Sequence, residues 1–409
     1  MNGPPLAALW TPPGRGAIAT IRVSVEWAAW QPLDSLPFRA ANLRPLSTQP
    51  VGQIVFGRWG AELEEDVVVC AVDRHSLEIH CHGGQAAAGR ILRDLESAGC
   101  RVVGWPESLR ATESPLRAEI LGELCRATTL RTAAILWEQA NGLFESSLSA
   151  LVSSVPRNVS AAATQIREWV TWAEFGLHLT QPWRVVLAGR PNVGKSSLIN
   201  AILGYTRSVV FDQPGTTRDV VSAPTAIDGW PIELSDTAGL RESADPIESA
   251  GVERARATLG AADLAIVLVD MSQPASQSDR AIIAQHPRAL VVAHKCDLAP
   301  YEGTDRWGTD ESAGWFPVSS KTGQGVDALV AAISRRLVPR VPPPDVLVPT
   351  TKRHVALLRG GLDAANRSDV KGLLQALNDL LTVDNRSPEA AQSKGAPQSA
   401  NWNGSPATS

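Results

Sequence analysis

Lys195 and Ser196 stand at the end of Gly189-Arg190-Pro191-Asn192-Val193-Gly194-Lys195-Ser196-Ser197. Glycines bracketing a short spacer, followed by lysine and a hydroxyl, form the pattern of a loop that wraps phosphate. The glycines let backbone N–H groups turn inward around a β-phosphate, and the helix that follows adds its positive end. Lys195 would reach the β- and γ-phosphates, and the Ser196 hydroxyl would bind Mg²⁺. Four further groups follow in order. Phe211, Asp212 and Gln213 lead into Pro214-Gly215-Thr216-Thr217, where a threonine can complete the Mg²⁺ shell and sense the γ-phosphate. Asp236-Thr237-Ala238-Gly239 places a carboxylate where it can hold Mg²⁺ through water, and Gly239 brings a backbone N–H close to the γ-phosphate. His294-Lys295-Cys296-Asp297 ends in an aspartate that can accept two hydrogen bonds from the guanine N1 and N2 edge, which adenine lacks. A ring N–H of His294 could donate to guanine N7, with changed ties to the phosphate loop. Ser319-Ser320-Lys321 would contact the guanine oxygen.

These groups need strands and helices to hold them. Val185 to Ala188 is an apolar run before the loop, and Leu198 to Leu203 continues after it at helical spacing. Ile232–Ser235 leads to Asp236 at a strand end, Ala289–Ala293 ends at the His294 group, and Leu264–Asp270 reads as a fully buried strand. Alternating strands and helices predict an α/β fold: a doubly wound, mostly parallel sheet with its ligand at the strand ends. This domain is expected over 182–341. Before it, a small α/β domain spans 1–113, with strands at Ala17–Val23, Val67–Val72, Leu77–Cys81 and Cys100–Val103 and a helix from Gln85 to Ala98. Residues 114–181 read as helices, with apolar spacing over Leu116–Ala140, Leu143–Val152 and Val159–Leu179. Pro339 to Pro349 reads as a linker, 342–383 as a truncated second helical part, and 384–409 as a disordered tail. His80 and His82 share a strand face, but two ligands without a third read better as core and turn residues than as a metal site.

The 409 residues are 44% hydrophobic and 20% charged, with a net charge of −4. That balance is ordinary for a globular chain and speaks against a strongly basic nucleic-acid binder. Five scattered cysteines show no zinc spacing, and there is no signal-peptide pattern and no membrane-spanning apolar run. A reducing cytoplasm is the expected location.

The chain resembles the MnmE (TrmE) family of tRNA modification GTPases. The resemblance runs over about residues 8–365. It is carried by Thr11-Pro12-Pro13-Gly14-Arg15-Gly16, Leu77-Glu78-Ile79 with His82-Gly83-Gly84, the phosphate loop, Pro214 to Asp219, Asp236 to Glu242, and Glu248 with Gly251-Val252-Glu253-Arg254. It implies a P-loop GTPase domain inserted in a helical domain, behind an N-terminal folate-binding dimerisation domain. It also implies a homodimer that works on tRNA with the flavoprotein MnmG, and GTPase domains that meet when GTP and K⁺ are present. By motif, Asn192 and Thr216 would serve K⁺, Ser196 and Thr217 would hold Mg²⁺, and Glu248 would orient the attacking water. Arg22 and Glu78 match positions that contact a 5-formyltetrahydrofolate-like folate, whereas a folate-contacting lysine aligns with Glu123. The family's terminal Cys-Ile-Gly-Lys motif is lacking; the sequence ends in Gly404-Ser405-Pro406-Ala407-Thr408-Ser409, and no cysteine follows Cys296.

The bare residues agree that something must replace a water-positioning glutamine, because Leu240 follows Gly239. By itself, Glu248 reads as a solvated glutamate at a helix start. Three readings stay open: a wobble-uridine modification GTPase, a ribosome-assembly GTPase, and a nucleotide-gated module that hydrolyses GTP without modification chemistry.

Overall fold

The computed structural model describes residues 3–12, 16–26, 30–61, 63–210, 222–236, 262–302 and 315–382. The chain divides into two compact units, Met1–Gly122 and Glu123–Ser409.

The first unit is built on a sheet of β1 (Leu6–Leu9), β2 (Ile18–Ser24), β3 (Phe38–Ala40), β4 (Ile54–Trp59), β5 (Glu65–Asp73), β6 (Ser76–His82) and β7 (Arg101–Val102). Their order is β3-β4-β5-β6-β2-β1-β7. Only the β1–β7 pair is parallel among these. β1, β3 and β4 were not expected from the sequence. β4 alternates exposed and buried residues and drives Val55 and Trp59 into the core. Helix α1 (Gln85–Ser97) covers that face with Ala88, Ile91 and Leu95. The Trp59 indole N–H donates to Asp94 on the helix at 2.8 Å, so the polar end of this buried ring has a partner. Gly83, in the turn before this helix, lies against the chain entering β2: a Cβ there would lie 2.0 Å from the Gly16 carbonyl oxygen. Helix α2 (Trp105–Thr112) follows, and α3 (Pro115–Leu124) runs across the boundary between the units.

The second unit opens with helices. The sequence predicts one helical run from Leu116 to Ala140, but it is interrupted after α3 and restarts as α4 (Leu130–Glu138). Thr129 is the reason: its hydroxyl caps α4 by accepting from the Thr132 N–H and donates to the Gly229 carbonyl at 2.7 Å. After a turn in which Gly142 takes φ 106°, α5 (Phe144–Ser154), α6 (Val159–Thr171) and α7 (Ala173–Leu177) complete this part.

The nucleotide-type sheet consists of β8 (Trp183–Ala188), β9 (Ser222–Ile227), β10 (Trp230–Asp236), β11 (Leu264–Asp270), β12 (Leu290–His294) and β13 (Trp315–Val318). Their order is β13-β12-β11-β8-β10-β9, parallel throughout except at the β9 edge. Around it lie α8 (Lys195–Val210), α9 (Gln277–Gln285) and α10 (Val326–Leu337). β8 sits at the centre, and Val185, Val186 and Leu187 are buried, as the apolar run required.

Two helices end the described chain, α11 (Lys352–Asn366) and α12 (Val370–Leu381). They pack against α6 and α5. His354 sits 4.8 Å from the Phe144 ring. The segment Pro339–Pro349 is not a free linker. Leu347 and Val348 are buried, and Gln139 grips the backbone with both amide atoms. Its Nε2 donates to the Val346 carbonyl at 3.2 Å, and its Oε1 accepts from the Val348 N–H at 3.1 Å. The expected tail, 384–409, lies outside the described residues.

Candidate nucleotide site

At the C-terminal end of β8 the chain must turn without blocking a ligand. Gly189 does so at φ 146°, where a Cβ would lie 2.7 Å from the Leu268 carbonyl oxygen. Asn192 and Gly194 take φ of 62° and 104°, a left-handed backbone that Asn and Gly tolerate best. α8 then begins at Lys195, whose side chain is buried. Its ammonium donates to the carbonyls of Gly189 and Arg190, each at 3.2 Å, and lies 3.8 Å from Asp236. A lysine so held is aimed at the loop's concave side, where phosphate would lie.

β10 carries Asp236 to the same end of the sheet. The Ser196 hydroxyl donates to its Oδ2 at 3.2 Å. A hydroxyl and a carboxylate, brought together from two elements beside a phosphate loop, are the hard oxygen donors that suit Mg²⁺.

β12 and β13 build a neighbouring cleft of about 370 Å³, lined by Ser197, His294, Lys295, Asp297, Leu298, Ser319, Ser320 and Lys321. That volume falls in the range of small-ligand clefts. The Ser319 hydroxyl accepts from the backbone N–H groups of Lys321 and Thr322, which fixes the loop. A hydrogen bond from Ser319 holds Asp297 below the usual carboxylate range, so it faces solvent as an acceptor. Lys295 donates to Asp270 at 2.6 Å and to the Asn192 carbonyl at 3.4 Å, tying this cleft to the phosphate loop. Burial pushes the Asp270 carboxyl up, but hydrogen bonds from Lys295 and Ser272 outweigh it and leave it lowered.

His294 differs from expectation. Its Nδ1 is 2.8 Å from the Val193 carbonyl oxygen and its Nε2 is 2.7 Å from the Ser320 hydroxyl. The tie to the phosphate loop is therefore present, and both ring nitrogens are engaged within the protein.

Arg190, within the phosphate loop but given no role by its motif, joins this site with Asp270 and Asp279. The Arg190 Nε contacts Asp279 at 2.8 and 2.9 Å, and Asp279 is buried. For Asp270 a signal exists: an acidic residue ends an apolar strand at the ligand edge of the sheet. Phe211, Asp212, Gln213, Pro214, Gly215, Thr216, Thr217, Thr237, Ala238, Gly239 and Glu248 lie outside the described residues.

Residues 184–295 match the family described as 50S ribosome-binding GTPase. Over a much longer span the chain is similar to proteins named tRNA modification GTPase MnmE. That of Roseiflexus sp. is 31% identical, covering 93% of this chain and 92% of the relative. Those of Symbiobacterium thermophilum and Thermus thermophilus are 33% and 32% identical over 81% and 82% of this chain, and 82% and 83% of theirs. The chain belongs to the MnmE family. Among solved structures, the G domain of the T. maritima FeoB iron transporter is 28% identical, covers 39% of this chain and 100% of that one, and has a TM-score of 0.28.

Two of the residues singled out in the sequence lie in the first unit. Arg22 and Glu78 are register partners on β2 and β6. The Arg22 guanidinium lies 4.5 Å over the Trp10 ring and donates to the Ser76 hydroxyl at 3.0 Å, while its Nε is buried without a hydrogen-bond partner. An unmet donor beside a carboxylate suits a polar ligand. Glu123 accepts from Arg126 and from the Thr180 hydroxyl. His80 pairs with Thr20 and His82 with Glu65; no group of three or more His, Cys, Asp or Glu side chains that could hold a metal ion occurs among the described residues. No described helix is long and apolar enough to cross a membrane.

Proposed function

We propose that this chain binds GTP with Mg²⁺, hydrolyses it, and acts in modifying the wobble uridine of certain tRNAs. The observation that carries this reading is the convergence of Lys195, the Ser196–Asp236 pair and Asp297 at the ends of β8, β10 and β12 in an MnmE-family chain. Asp297 supplies the acceptor for the guanine N1 and N2 edge, and the loop that starts at Ser319 would contact the guanine oxygen. Lys195, already fixed by two carbonyls, meets the phosphates with little reorganisation, which favours charge stabilisation in the transition state.

Ser196 and Thr217 would hold Mg²⁺, with Asp236 behind the Ser196 hydroxyl; the ion neutralises phosphate charge. Asn192 and Thr216 would serve K⁺, and Glu248 would position the water. Arg22 and Glu78 would take a folate-like ligand. A homodimer and an MnmG-like flavoprotein complete the assembly, and the cytoplasm is its place.

The test compares tRNA nucleosides of a deletion strain and its parent by mass spectrometry. Loss of a modified wobble uridine, restored by the wild-type gene and not by Lys195→Ala, is expected. Identical nucleosides in deletion and parent would overturn the tRNA part of the reading.

A further inference from the structure

β12 delivers His294 between two walls, the phosphate loop and the loop that starts at Ser319. A carbonyl oxygen only accepts, so the nitrogen 2.8 Å from the Val193 carbonyl must carry the proton. In a neutral imidazole the other nitrogen is then a lone pair, and the Ser320 hydroxyl at 2.7 Å donates to it. The ring is thereby fixed as the Nδ1–H tautomer, with its single N–H already used. Packing leaves no slack: a Cβ on Gly194 would lie 2.3 Å from the ring's Cε1 and 2.5 Å from its Nδ1.

The ring remains neutral in this setting. Burial, the largest effect, lowers its tendency to take a second proton; the Val193 carbonyl favours that proton, the adjacent Lys295 opposes it, and Asp270 and Asp297 favour it less, leaving the net effect a lowering.

Resting on the guanine-nucleotide reading above, we propose that His294 is a positioning residue that clamps the phosphate loop to the base loop and offers guanine N7 no donor. Recognition then falls on the N1, N2 and oxygen edge. The site accepts guanine nucleotides whose N7 is replaced by carbon. An amide at this position would differ, because its NH₂ group has two donors and could serve the Val193 carbonyl and N7 together.

The test is calorimetric titration of the full chain with GDP and with 7-deaza-GDP. Wild type is expected to bind the two within about threefold of each other, since a net hydrogen bond is worth up to roughly tenfold. His294→Asn is expected to prefer GDP by about five- to tenfold. A wild-type preference for GDP beyond that threefold margin, or an unchanged ratio in His294→Asn, would overturn the inference. No GDP binding at all would overturn the guanine-nucleotide reading, and this inference with it. Nitrogen-15 NMR of the GDP-bound wild type gives a readout that needs no folded variant. A proton on Nδ1 with Nε2 bare is expected; a proton on Nε2 contradicts the assignment.

Discussion

Replacing Asp279 with alanine should loosen the phosphate loop from a distance. The Asp279 carboxylate accepts from the Arg190 Nε at 2.9 Å and from the Ser276 hydroxyl at 2.7 Å. Arg190 in turn supplies one of the two carbonyls that hold Lys195. A hydrogen bond to a charged partner is worth about 1.5–3 kcal/mol, and the lower end applies here because 31% of the Arg190 side chain meets solvent. Losing the bond from Ser276 adds about 1 kcal/mol. Losing a negative charge in the first turn of α9 adds about 0.5 kcal/mol. Asp279→Ala should therefore cost about 3 kcal/mol of local stability, half of it shared with Arg190. Hydrogen exchange of amides in β8, α8 and α9 reads this directly, because it resolves local opening in a chain of two units. A double-mutant cycle with Arg190→Ala should return a coupling of about 1.5 kcal/mol. A total loss below about 1 kcal/mol, or additive single effects, would refute the view that this pair anchors the loop.

Three further outcomes are expected. Gln139→Ala should destabilise the second unit by about 2 kcal/mol in denaturant unfolding, since it strands a buried N–H at Val348 and a half-buried carbonyl at Val346. Because His294 is held neutral with its value lowered, the unfolded chain binds more protons once pH drops through about 6.5. Stability should thus fall with pH from about 7.5 to about 5.5, and denaturant midpoints of wild type and His294→Asn should show a shallower fall in the variant. Glu248→Ala should cut GTP turnover by about a hundredfold with GDP affinity nearly unchanged, and wild type should turn over faster in K⁺ than in Na⁺ at matched ionic strength.

The phosphate loop, Asp236 and Asp297 were legible in the sequence because their chemistry is local. Glycine at a left-handed turn, lysine and hydroxyl at a helix start, and an acid at the end of an apolar strand each follow from neighbours within a few residues. The central strands β8, β11 and β12 were legible for the same reason, since burial on both faces forces continuous apolar runs, and β10 by the alternation of Ile232 and Leu234 with Glu233 and Ser235. What the sequence hid depends on partners far along the chain. Arg190 and Asp279 are 89 residues apart, and His294 and Val193 are 101 apart. Gln139 converts a proline-rich stretch some two hundred residues later into a buried strap, which no local pattern reveals. Thr129 broke an otherwise continuous helical pattern because tertiary contact with Gly229 outweighed local propensity. β4 was obscured by Gly57 within it, where Phe38 and the Arg39 carbonyl press too closely for any side chain.

The central claim is that the cleft at the end of β8 binds Mg²⁺·GTP and hydrolyses it. The most direct measurement is phosphate release from GTP and from ATP by the purified full chain, in Mg²⁺ and K⁺, for wild type and Lys195→Ala. The account predicts turnover of GTP, far slower release from ATP, and none above background from Lys195→Ala. Equal release from both nucleotides, or full activity in the variant, would contradict it.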